Sequence, residues 1–152
     1  MLLGVATTAS PAPATVVADP LEAAKAAIRV KDYARAISVL TDLSRRGHAG
    51  GQYLLGTMYL AGLGTAQDPA RARELFEAAA NAGDVRAAYG LAALLATGET
   101  PDKPAARRWL TRAAELGDPD AQALMRRQAL PMEFRPHDLL TDESSKRSAL
   151  WR

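Results

Sequence analysis

The sequence predicts an all-α fold, a short right-handed α-solenoid of about three helix–turn–helix repeats. Three observations predict it. Gly47, Gly83 and Gly117 stand 36 and 34 residues apart, and laying 47–83 over 83–117 matches Tyr53 with Tyr89, Leu55 with Leu91, and Ala79-Ala80 with Ala113-Ala114. A period of this length is one helical hairpin of a stacked array, which cannot bury its apolar face without neighbours. Capping chemistry recurs at the same period, with Asp32, Asp68 and Asp102 before three helices and the three glycines after them. Runs of alternating Val and Ile are absent, while Ala leads the apolar share and aromatics make up only 5%. Small side chains suit closely approaching helices better than a sheet.

Residues 1–19 read as a disordered leader, because Pro11 and Pro13 oppose a helix there. Asp19-Pro20 supplies an N-cap and a first-turn proline for an Ala-rich helix to Val30, and Lys31 turns the chain. Asp32 opens the next helix, whose Ala36, Val39, Leu40 and Leu43 form one apolar stripe. Arg45 and Arg46 place positive charge on its last turn, and Gly47 is its left-handed C-cap. A helix over 49–61 follows, and its Gly50-Gly51 pair implies close contact with a neighbouring helix. After a loop, Asp68-Pro69 starts a helix over 70–82, and Asp84 caps one over 85–96. A shorter loop from Gly98 to Pro101 leads to Asp102 and a helix over 103–116. Asp118-Pro119 starts the last helix, which reaches Gln128. The repeat domain thus spans 20–128. Residues 129–152 are a C-terminal extension broken by Pro131 and Pro136. It is read either as a cap over the last hairpin, anchored by Phe134 and Leu139, or as a tail that docks on a partner.

The net charge of +2 comes from interspersed acids and bases, so no basic block points to nucleic acid. The absence of Cys rules out disulfides, thiolate metal sites and Cys nucleophiles. No apolar stretch is long enough to span a membrane. Met1 to Ala6 is a short apolar run followed by Ala12-Pro13-Ala14, the form of a secretory h-region and cleavage site without its basic start. A periplasmic or secreted protein is the leading expectation, and a cytoplasmic one with a plain Ala/Thr/Pro leader the alternative.

The run from Gly51 to Gly64, with Leu55-Gly56, Tyr59, Gly62 and Gly64, resembles the signature of the Sel-one-like repeat, a relative of the tetratricopeptide repeat. Asp68, Ala72, Phe76, Ala79-Ala80 and Gly83 complete that copy. A looser second copy carries Ala87, Leu91, Gly98, Asp102, Ala106, Trp109-Leu110, Ala113-Ala114 and Gly117. It departs at Ala92, where the pattern has Gly, and at Leu95, where it has Tyr. Residues 32–47 resemble the second half of an earlier copy, and 121–125 the start of a later one. The resemblance implies an adaptor or scaffold that binds a protein or peptide, in bacteria often at the envelope.

No constellation for catalysis stands out, and no enzyme is expected. His48 and His137 lie far apart, one in a turn and one in the tail, and no zinc-protease, serine-elbow or phosphate-loop motif is present. Gly62-Leu63-Gly64 lacks the preceding strand of a dinucleotide loop and reads as a turn. The repeated Asp residues sit where helices start and read as caps. Arg71, Arg73, Arg107, Arg108 and Arg112 read as a solvated outer face. No cofactor is implied. If Gly51, Leu55, Met58 and Tyr59 face inward, the helical step puts Tyr53, Thr57 and Leu60 on the opposite, concave side, with Tyr89, Ala93 and Ala96 matching them in the next repeat and Arg86 beside them. Tyr53 and Tyr89 then form either an exposed binding ladder or packing against the adjacent helix. The expected function is a concave groove presented to a peptide or protein. The alternative is an accessory subunit of a larger envelope complex that docks through its C-terminal tail.

Overall fold

The computed structural model describes residues 19–127, and the leader and the C-terminal extension otherwise lie outside the described residues. Seven helices and no strand are found there: α1 Pro20–Arg29, α2 Tyr33–Arg45, α3 Ala49–Ala61, α4 Pro69–Asn81, α5 Val85–Thr97, α6 Lys103–Glu115 and α7 Pro119–Arg127. Each packs chiefly on the helix before and the helix after it, most extensively within the pairs α3–α4 and α5–α6. Helix boundaries agree with the sequence reading to within a residue or two.

One short device joins each hairpin to the next. Gly47, Gly83 and Gly117 adopt φ of 74°, 91° and 98°, a conformation that only glycine enters without strain. The residue after each glycine then serves two helices. The N–H groups of His48, Asp84 and Asp118 donate to Leu43, Ala79 and Ala113 at 3.0, 2.9 and 2.9 Å, closing the helix behind in a Schellman motif. Their side chains cap the helix ahead. Asp84 Oδ1 accepts from the N–H groups of Arg86 and Ala87 at 3.0 and 3.1 Å, and Asp118 Oδ1 from those of Asp120 and Ala121 at 3.0 and 2.9 Å. His48 does the same with an imidazole, Nδ1 accepting from Gly51 N–H at 3.2 Å. His48, placed in a turn by the sequence, is an exposed residue that also serves as an N-cap. Asp32, Asp68 and Asp102 cap α2, α4 and α6 as expected, accepting from Arg35, Arg71 and Ala105.

Two kinds of helix result. α2, α4 and α6 bury one stripe and expose the rest: Ala36, Leu40 and Leu43, then Ala72, Phe76, Ala79 and Ala80, then Ala105, Ala106, Leu110 and Ala113. The arginines Arg71, Arg73, Arg107 and Arg108 lie on the exposed side. α3 and α5 are buried around their whole circumference. Close approach is what makes this possible. A Cβ at Gly51 would lie 2.6 Å from Leu43 Cβ, and one at Gly56 2.9 Å from Phe76 Cδ1 and Cε1. The Gly50-Gly51 pair thus has the packing role expected of it. Trp109 is only partly buried at the edge of the core, whereas Phe76 is fully enclosed. No described helix is long and apolar enough to cross a membrane.

Candidate functional site

The six residues expected to line a concave surface all fall on α3 and α5, but their exposure differs from the expectation. Tyr53 is 2% exposed, Leu60 and Tyr89 4%, and Thr57 and Ala93 are enclosed completely. The helical-step argument misplaced them because it assumed one solvent face on a helix that has none. Of the two alternatives for Tyr53, packing against adjacent helices is the one observed. Its ring lies 5.9 Å from that of Phe76 on α4, tilted by 31°. The Thr57 hydroxyl is committed within its own helix, donating to the carbonyl of Tyr53 at 2.9 Å. The Leu60 carbonyl accepts from Gln67 Nε2 at 2.8 Å, fastening the following loop.

Arg86 is the one of the six that reaches the surface, with a third of its side chain accessible. Position and chemistry hold it from three sides. As the second residue of α5 it sits beside its own cap, and Nη2 and Nε donate to the Asp84 carboxylate at 2.9 and 3.4 Å. Its guanidinium carbon lies 4.6 Å from the centroid of Tyr53 on the preceding repeat. Gly50 lies alongside: a Cβ there would press on Leu21 and His48 at 3.2 and 3.3 Å and stand in ordinary contact, 3.6 Å, with Arg86 Nη2. Leu21 of α1, His48 and Gly50 at the start of α3, Tyr53 and Arg86 thus lie close together. The sequence placed Arg86 beside the tyrosines but missed Asp84 as its holder and His48 as its neighbour. The signal for both was available, because the repeat overlay puts His48, Asp84 and Asp118 at one position.

This arrangement offers a fixed guanidinium at a helix start, flanked by an aromatic face and an imidazole. Such a group can bind a carboxylate or a polar main chain of another protein. Among the described residues no cluster of three or more His, Asp or Glu side chains could hold a metal.

The comparisons bear on the repeats rather than on this cluster. The Sel1 repeat profile matches residues 49–84 and 85–118. A Sel1 repeat protein from Oxalobacter formigenes, known from its crystal structure, is 26% identical with a TM-score of 0.58, over 70% of this chain and 47% of that one. c5321 of uropathogenic Escherichia coli, a protective antigen displaying an SLR fold, is 24% identical with a TM-score of 0.67, over 88% of this chain and 30% of that one. This chain therefore spans less than half the length of either. No curated protein matches.

Proposed function

As a chain built on tandem Sel1 repeats, this protein, we propose, is a non-enzymatic scaffold that binds another protein or a peptide along the edge formed by the starts of α3 and α5. The observation that carries the reading is the pinning of Arg86 between Asp84 and Tyr53, one repeat bracing a charged group on the next. A guanidinium held this way has lost most of its rotamer freedom before any partner arrives, which lowers the cost of binding. In this reading the tyrosines support the contact from beneath rather than making it. Supporting it further, the helical-repeat architecture is one whose extended surfaces serve recognition. The measurement is affinity capture with the wild type and Arg86→Glu, with contact sites mapped by cross-linking. A partner retained equally by both would remove Arg86 from the interface, and turnover of a small molecule would remove the scaffold reading.

The apolar Met1 to Ala6 run and Ala12-Pro13-Ala14 support an exported protein as part of the same proposal. Mass spectrometry of the N-terminus after expression in a bacterial host tests it, and an uncleaved leader on a protein retained in the cytoplasm would reject it.

A further inference from the structure

Repeat register singles out α7. The offsets that carry α3 onto α5 and α5 onto α7 match Leu55 with Leu91 and Met125, Gly56 with Ala92 and Arg126, and Tyr53 with Tyr89 and Ala123. On α3 and α5 these positions are enclosed, with Leu55 4% and Leu91 1% exposed. On α7 they are open: Met125 is 38% exposed, and Ala123 and Arg126 are exposed as well. Part of that burial on α3 and α5 comes from the second helix of the hairpin, whose Phe76 comes so close that Gly56 has no room for a Cβ. Arg126 fills the corresponding place on α7 with a long charged side chain. A side chain of that length leaves no room for an approach as close as that of α4 at Gly56.

The sequence that follows agrees. By the two loop lengths present, the large apolar residue equivalent to Phe76 and Leu110 would fall between 144 and 146, where Ser144, Ser145 and Lys146 stand. Yet this segment has what the open flank lacks. Leu139 and Leu140 are adjacent apolar residues, bracketed by Asp138, Asp142 and Glu143, opposite in charge to Arg126. Eleven residues separate 127 from 139, enough to reach any part of α7. Being covalently attached, the segment competes at an effective concentration in the millimolar range, above that of a second molecule.

We propose that the flank of α7 formed by Ala123, Met125 and Arg126 is closed by the chain's own residues 138–143. Leu139 and Leu140 lie on Met125, and the acidic side chains face Arg126. The proposal is independent of the partner-binding edge at Arg86.

The chain has no cysteine, so a disulfide can be trapped cleanly. The full chain carrying Met125→Cys and Leu139→Cys is oxidised mildly beside a control carrying Val30→Cys and Leu139→Cys. Val30 is 75% exposed and lies at the other end of the array. The proposal expects an intramolecular bond in the first protein, formed about tenfold faster than in the control. Adding Arg126→Glu should slow it, and circular dichroism checks that each variant folds. Equal rates in the two proteins would overturn the proposal. A disulfide-linked dimer through residue 125 would overturn it too, in favour of a second copy as the occupant.

Discussion

The guanidinium of Arg86 stacks 4.6 Å from the ring of Tyr53, so a residue of one repeat rests on an aromatic of the repeat before it. The contact is half-buried and its cation is also paired with Asp84. Cation–π contacts of this exposure contribute about 0.5–1 kcal/mol. A double-mutant cycle with Arg86→Ala and Tyr53→Leu, read by urea denaturation, should show coupling of about that size. Strict additivity would mean that the two side chains are merely adjacent.

Gly56 and Phe76 make a second matched pair. A Cβ at residue 56 would stand 2.9 Å from the aromatic ring and 3.2 Å from Leu75 Cβ. Gly56→Ala is therefore expected to destabilise by about 1–3 kcal/mol, even though alanine is the better helix former by about 1 kcal/mol. The next repeat carries Ala92 and Leu110 at the equivalent places. Gly56→Ala combined with Phe76→Leu should thus recover much of the loss in thermal unfolding. If the double variant is as unstable as the sum of the singles, crowding by the ring is not the cause.

The caps differ in what they hold. Asp68 accepts one backbone bond, from Arg71, whereas Asp84 accepts two and also pairs with Arg86. Asp68→Ala should cost about 1 kcal/mol, the usual value for an N-cap. Asp84→Ala should cost more, because it leaves Arg86 beside a helix start without its carboxylate. Chemical denaturation of the two variants side by side decides the order.

His48 occupies a place where the following repeats use aspartate. Its imidazole is a serviceable acceptor, but a carboxylate also complements the positive end of the helix dipole and the nearby Arg86. His48→Asp should stabilise the protein by about 0.5–1 kcal/mol. A lower melting temperature in this variant would show that the ring does something beyond capping.

Much of the fold was legible because local and long-range signals coincided. Asp68-Pro69 and Gly83 delimit α4 in the sequence itself, and the period carries those limits to α6. The site was less legible, for a definite reason. Periodicity reports a buried face only when the opposite face is wet, as on α2 with Leu40 buried between exposed arginines. α3 has no wet face, so Tyr53 and Thr57 could not be sorted by angle. The cluster itself emerges only from the structure, where Asp84 at a helix start pairs with Arg86 two residues later and Gly50 lies alongside.

Each helix of this chain leans mainly on its sequence neighbours. Partners in the core are consequently synthesised one after another, and no hairpin waits for distant sequence to appear. A nascent chain can compact stepwise as it leaves the ribosome, α3 on α4 before α5 exists. Under a pulling force the same linear order should make the array peel from its ends, hairpin by hairpin.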